Sequence, residues 1–278
     1  MNSSLTDNTQ SIPHLLRICK EAGAAILDVY NSDFSVEHKD DMSPLTLADK
    51  RSHEIIVSGL ADLPSCSLPV LSEEGRETSY DLRKDWGTFW LVDPLDGTKE
   101  FVKRNGEFTV NIALIEERSP ILGLIYIPVK NLFYFGATGL GSYKLEGSAP
   151  TSSSDSLKAV LDASTALPLF THDDSRMTII GSRSHMSPET EKFIDNLKTT
   201  YQKVDFLAAG SSLKFCLIAE GRADIYPRFG PTMEWDTAAG QAIVEQAGGK
   251  VIKEGTDEPL SYNKESLLNP GFIVYGIR

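Results

Sequence analysis

The sequence predicts an α+β first half joined to an α/β second half, and three patterns predict it. The chain opens with helix-spaced apolar residues. Between residues 108 and 145, apolar segments punctuated by turns follow one another like the strands of an antiparallel meander. After the polar stretch SAPTSSSDS, strand-like and helix-like segments alternate to the end of the chain.

From Ser11 to Asn31, apolar side chains at Leu15, Cys19, Ala22, Ile26 and Val29 step by four and three, one face of a helix. A second helix is predicted to begin near Thr46, where Thr46-x-x-Asp49 has the form of a capping box. LPVLSEEG (68–75) holds a short apolar strand with Glu73 and Glu74 at its end. TFWLV (88–92) reads as a buried strand that stops at Asp93, because Pro94 has no N–H to give to a ladder. The meander follows: FTVNIALIE, a turn at Glu117 to Pro120, ILGLIYIPV, LFYFG and GSYKL. The second half reads strand MTIIGS, helix from Pro188 to about Thr200, strand KVDFLAA, helix SSLKFCLIAE, strand ADIYPR, helix WDTAAGQAIVEQA and strand FIVYGI. The expected division is 1–147 and 157–278, two halves of one compact unit, with Ser148–Ser156 as linker or surface loop.

At 278 residues and 41% hydrophobic content the chain can bury a large core. Three cysteines, Cys19, Cys66 and Cys216, are widely spaced and suggest neither disulfides nor a thiolate zinc site. The first residues lack a signal-peptide pattern and no run of 18 apolar residues occurs, so a cytoplasmic protein without a membrane span is expected; peripheral attachment to the cytoplasmic side of the inner membrane is left open. A net charge of −12 argues against nucleic-acid binding, and it would repel a phosphate substrate unless cations intervene. Oligomeric state is not legible.

The chemistry gathers in LVDPLDGT (91–98). Asp96 precedes a short helix that it could cap, with the amides of Gly97 and Thr98 offered to an anion. Asp93 and Asp96 with the carbonyl of Leu95 supply the all-oxygen ligands that Mg²⁺ prefers. Taken alone, the pair could equally be a strand end and a helix cap. Glu73 and Glu74 add acids at another strand end, and Asp236 stands at the start of a helix whose residues 238–240 are small enough for close packing. Asp236 and Asp49 could each be simple caps. His14, His38, His53 and His172 have no ligand spacing and read as surface or packing residues.

Six blocks in order carry a resemblance over nearly the whole chain: SPLTLAD (43–49), LPVLSEEG, WLVDPLDGTKEFVKRNGEFTVNIALIE, GSRSH (181–185), GSSLKFCLIAEGRADIYPRFGPTMEWDTAAG (210–240) and LLNPGF (267–272). With these the sequence resembles the lithium-sensitive, Mg²⁺-dependent phosphatases related to inositol monophosphatase, and within them the bacterial bisphosphate nucleotidases. The tract from Gly147 to Arg176 lies outside the resemblance. The resemblance implies a layered αβαβα fold in which Glu73, Asp93, the Leu95 carbonyl, Asp96 and Asp236 hold two or three Mg²⁺ ions, Asp93 bridging two of them. It gives Thr98, hydrogen-bonded to Asp49, the task of activating the attacking water, and Glu74 that of assisting a weaker additional ion through water. Substrate contacts would come from Glu73, Leu95, Asp96, Gly97, Thr98, His185, Gly210, Lys214, Arg228 and Asp236. Read without it, Lys214 is a solvated helix residue and Arg228 a surface cation. The activity implied is removal of the 3'-phosphate from adenosine 3',5'-bisphosphate, with its sulfated analogue as a further substrate. The alternatives are an inositol or sugar phosphatase of the same fold and a noncatalytic phosphate sensor.

Overall fold

The computed structural model describes residues 8–32, 44–63, 68–75, 78–147, 156–170, 176–182 and 187–277. Helix α1 (Ile12–Tyr30) buries Leu15, Cys19, Ala22, Ile26 and Val29, the face predicted from their spacing. Helix α2 (Pro44–Ala61) lies beside it and begins two residues before Thr46. Thr46 is therefore inside the first turn, so the capping box does not form.

Strands β1 (Val70–Ser72), β2 (Thr88–Asp96), β3 (Thr109–Glu116), β4 (Ser119–Ile127), β5 (Leu132–Ala137), β6 (Gly141–Glu146) and β7 (Thr165–Ala166) make a seven-stranded sheet in chain order. β1 and β2 are parallel and every other pair is antiparallel, the expected meander. β2 corrects one expectation. It continues past Pro94 to Asp96 because a bulge opens there: Asp93 pairs with Asn111 but Asp96 pairs with Thr109, so one extra residue is accommodated. Pro94 sits where no ladder donor is required.

Two short helices, α3 (Tyr80–Arg83) before β2 and α4 (Thr98–Val102) after it, lead to and from this strand. Helix α5 (Leu157–Asp162) precedes β7, and its Val160 joins the core under α1 and α2. Residues 157–166 thus complete the first sheet rather than opening the second half.

The second sheet contains β8 (Arg176–Gly181), β9 (Lys203–Ala208), β10 (Ile225–Arg228), β11 (Lys250–Lys253) and β12 (Phe272–Tyr275) in the order β11-β12-β10-β8-β9. β8 is parallel to β9 and β10, whereas β12 runs antiparallel to its neighbours, which makes the sheet mixed. Helices α6 (Pro188–Thr200), α7 (Leu213–Ala219) and α8 (Ala238–Gln246) complete the chain.

The buried side chains fall into three clusters that define the layers. The first lies between α1 with α2 and one face of the large sheet; the second between that sheet, α7 with α8, and the small sheet; the third between the small sheet and α6. This is the αβαβα sandwich. Its central helix layer fits because the residues there are small. A Cβ at Gly123 on β4 would run into the backbone of Ala239, and one at Gly240 into the ring of Phe215. The same layer holds a buried charge node, where Glu220 accepts from Tyr134 Oη at 2.6 Å and pairs with Lys144 Nζ at 3.0 Å and Arg222 Nε at 2.6 Å.

Candidate active site

Parallel pairing of β1 and β2 builds the first part of the site. Ser72 is in register with Val92, and Glu73 N donates to the Val92 carbonyl at 3.2 Å, so the chain leaves β1 with Glu73 beside Asp93. Asp93 is 1% exposed, and its Oδ1 accepts from Leu95 N at 3.1 Å, closing the bulge on itself. Helix α2 is tied to the same point through Ser52, whose hydroxyl donates to the Pro94 carbonyl at 2.8 Å. That bond sets Asp49, one turn earlier on α2, over the strand ends. Asp49 is buried, and among the described residues its Oδ1 meets no hydrogen-bond donor.

Asp96 does not cap the helix that follows it. Gly97, at φ 93°, is the N-cap residue of α4, and a side chain there would crowd Ser211 and the backbone of Glu107 and Phe108. The Asp96 carboxylate instead accepts from Ser212 N at 2.6 Å and Ser212 Oγ at 2.7 Å, which pins the start of α7 to the end of β2. The Ser212 hydroxyl also lies 3.0 Å from the Asp236 carbonyl and accepts from the buried Asn111 Nδ2 at 3.0 Å. Asp236 does not cap α8 either. It closes the preceding 3₁₀ turn (Glu234–Asp236), its Oδ2 accepting from Met233 N at 2.8 Å. That turn is anchored by Glu234, which accepts from Asn263 N at 2.6 Å and pairs with Lys264 Nζ at 2.6 Å.

Five acids from four segments of chain therefore face one another. Burial first, and then the charges of Glu74 and Glu73, push Asp49 up to about 8. Burial and Asp96 push Asp236 up to about 7. Asp93 is held well above the ordinary carboxylate range by burial and by Asp96, Glu73, Asp236 and Asp49, and Glu73 is raised by desolvation and by Asp96. Among the described residues no three acidic, histidine or cysteine side chains converge on one ion-sized point as they stand. The donor set nevertheless fits a hard divalent cation: it is all oxygen, mutually repelling, and leaves a buried carboxylate oxygen of Asp49 unpartnered.

A pH dependence follows. Carboxyls whose folded-state pKa exceeds the unfolded value stabilise the fold fully below the unfolded pKa, near 4, and lose that contribution as pH rises through the folded values. With Asp236 at about 7 and Asp49 at about 8, the metal-free protein should lose melting temperature, by about 3 °C or more, between pH 5.5 and 8.5. Mg²⁺ should restore it, with an increment that grows with pH. A flat chelator profile would show that the acids do not repel one another.

Beyond the acids opens a cavity of about 200 Å³ lined by Asp96, Thr98 and Asp236 together with Lys214, Arg228 and Tyr226. Lys214 is not the solvated helix residue of the simpler reading. It is 7% exposed, its Nζ donates to the Ser211 carbonyl at 2.5 Å and lies 5.4 Å from the centre of the Tyr226 ring, and burial lowers its pKa to about 8. Arg228 is half-buried, with its guanidinium donating to the Pro231 carbonyl at 3.0 Å. Gly210 is buried behind this wall, and Thr98 is exposed at the cavity. No hydrogen bond joins Thr98 to Asp49. The expected pair is not formed, because the carboxyl is sunk at the strand ends while the hydroxyl stands on the exposed side of α4. Glu74 is half-buried beside Asp49 and Glu73. His185 lies outside the described residues.

Sequence reasoning passed over two residues, and gave a third, His53, only as a surface or packing residue. Ser212 and Ser52 hold the acids in place, and Ser212 could have been found as a serine directly ahead of an apolar helix. His53, one turn after Asp49, places its Nδ1 2.9 Å from Ser72 Oγ, bracing β1 just before Glu73; no spacing signal reveals it.

A model of the inositol monophosphatase family matches residues 7–271, and the chain belongs to that family. A crystal structure of CysQ from Bacteroides thetaiotaomicron, described as a bacterial member of the same family, superposes with a TM-score of 0.89 at 48% identity, covering 97% of this chain and 98% of that one. Among curated relatives, the 3'(2'),5'-bisphosphate nucleotidase CysQ of Shigella flexneri is 43% identical over 270 residues, 95% of this chain and 98% of the relative. Its namesake from Escherichia coli (strain K12) is 43% identical over 269 residues, with the same coverage.

Proposed function

We propose that this chain is a Mg²⁺-dependent phosphatase that hydrolyses the 3'-phosphate of adenosine 3',5'-bisphosphate to AMP and phosphate, with the 5'-phosphosulfate analogue as a second substrate. The observation that carries this reading is the mixed charge of one cavity, which the acids Asp96 and Asp236 and the bases Lys214 and Arg228 line together. Such a pocket suits an ester with one phosphate at the acids, met through cations, and a second phosphate at the bases. The two nucleotidases to which the chain is 43% identical support the same substrate class.

Glu73, Asp93 and the Leu95 carbonyl would hold one Mg²⁺, and Asp93, Asp96 and Asp236 a second, with Glu74 assisting a third. When bound, the ions supply charge neutralisation for the phosphoryl group and Lewis acidity for the water and the leaving oxygen. The rest falls to the chain. Asp49, a buried carboxyl with an unpartnered oxygen, accepts a proton from the attacking water, relayed through the Thr98 hydroxyl once substrate draws the two together. The Gly97 and Thr98 amides orient phosphoryl oxygens, and Ser212 fixes Asp96 so that its second oxygen stays available. Lys214, desolvated against Tyr226 and relieved of its partner Ser211 by an incoming anion, binds the phosphate that is not cleaved, with Arg228 lining the same cavity. A cytoplasmic location belongs to the same reading and is supported by the free, buried thiols of Cys19 and Cys216. Among the described residues no helix is long and apolar enough to cross a membrane.

Lys214→Met tests the two-phosphate reading. It should lower kcat/KM for adenosine 3',5'-bisphosphate by about 2 kcal/mol, roughly thirtyfold, and leave a monophosphate substrate within about twofold of wild type. Equal losses on both substrates would mean that Lys214 supports the fold or the acids instead.

A further inference from the structure

Glu100 lines the same cavity, two residues beyond Thr98 on α4. No hydrogen bond from a described residue reaches its carboxylate. Its side chain lies flat on Gly210: a Cβ there would overlap Cγ of Glu100 and come within 2.9 Å of Cδ and 3.1 Å of Oε1, so the glycine is what gives Glu100 its place. Gly210 is in turn held by its N–H to Glu107 Oε2 at 2.8 Å. Glu107 fastens the loop while Glu100 lines the cavity, and Lys214 feels the charge of both.

A carboxylate in the wall of a phosphate-binding cavity repels the phosphates, so the group it accepts from must be a neutral donor on the substrate. Glu100 lines the cavity together with Thr98 and its charge reaches Lys214, so it lies along the stretch between the two assigned phosphates, where the ribose must sit. The nearest donor to a 3'-phosphate is the hydroxyl on the adjacent ribose carbon; the base is farther away. Hydroxyl-to-carboxylate bonds are charge-assisted, and acidic side chains serve ribose hydroxyls in this way on other folds.

Building on the nucleotide reading above, we propose that Glu100 accepts a hydrogen bond from the free 2'-hydroxyl beside the scissile phosphate and makes the cavity selective for ribo- over 2'-deoxyribonucleotides. The test compares kcat/KM for adenosine 3',5'-bisphosphate and its 2'-deoxy analogue in wild type, Glu100→Gln and Glu100→Ala, with calorimetric affinities for AMP and 2'-deoxy-AMP alongside. Wild type should favour the ribonucleotide by roughly tenfold or more in both measurements. Glu100→Ala should bring the ratio within about twofold of one through loss on the ribonucleotide, and the isosteric Glu100→Gln, which keeps an acceptor oxygen and the fold, should fall between. A wild-type ratio near one, a ratio unchanged by the alanine, or an equal rise on both substrates would each overturn the assignment, the last by showing that Glu100 only repels phosphate. Absence of phosphate release from the ribonucleotide by wild type would sink the nucleotidase reading instead, and the AMP to deoxy-AMP affinity ratio would still decide the role of Glu100.

Discussion

Asp93→Asn lowers kcat by roughly 10³-fold or more at saturating Mg²⁺ while raising the melting temperature of the metal-free protein at pH 8.5. Both effects come from one feature. Asp93 is 1% exposed and hemmed in by Asp96, Glu73, Asp236 and Asp49, so its ionisation in the bare fold is opposed by burial and by four neighbouring charges. An amide of the same shape removes the opposition and keeps an oxygen for the Leu95 amide. It also removes the charge that two cations would share, and with it the reason for crowding acids at the ends of β1 and β2. Melting curves in chelator and turnover in Mg²⁺, read on the same variant, check the pair. Near-normal turnover would remove Asp93 from the catalytic centre, and an unchanged or lower melting temperature would mean that the acids are not in conflict.

Asp49→Asn lowers kcat by roughly 10²-fold with stability changed by about 1 kcal/mol or less. Capping offers no competing explanation, because α2 starts at Pro44 and Asp49 is well inside it. Under the proposed function the buried carboxyl, raised to about 8 and with one oxygen unpartnered, takes the proton that the reaction releases. Asparagine keeps the shape and cannot take that proton. Turnover unaffected by the change would assign the residue to packing under Ser52 and the bulge.

The legible parts of this protein are those whose signals are local. The spacing at Leu15, Cys19, Ala22, Ile26 and Val29 marked α1 to within a residue, and the apolar runs from 108 to 145 gave the meander. Glu73 and Asp93 were legible as strand-end acids, and parallel pairing of β1 with β2 sets them side by side. What stayed hidden depends on partners far along the chain. Pro94 read as a stop because a ladder was assumed, whereas the bulge leaves its position without need of a donor. Asp96 and Asp236, expected as metal ligands, stayed open to a competing reading as caps because Ser212, 116 residues from one and held against the backbone of the other, could not be seen to organise both. Without the family resemblance Lys214 read as solvated, because its burial against Tyr226 is made by β10, not by its own helix. β11, the four residues KVIK, carried too short a pattern to stand out, and its pairing with β12 is what makes it a strand.

The initial rate of phosphate release by the wild-type protein decides whether this cavity is a Mg²⁺-dependent site for a bisphosphorylated nucleoside. The substrates are adenosine 3',5'-bisphosphate, inositol 1-phosphate and fructose 1,6-bisphosphate, each with Mg²⁺ and with chelator. The nucleotide should exceed the other two in kcat/KM by roughly 10²-fold, release should cease in chelator, and lithium should inhibit it. Equal or faster release from inositol 1-phosphate, or release that persists in chelator, would contradict the assignment.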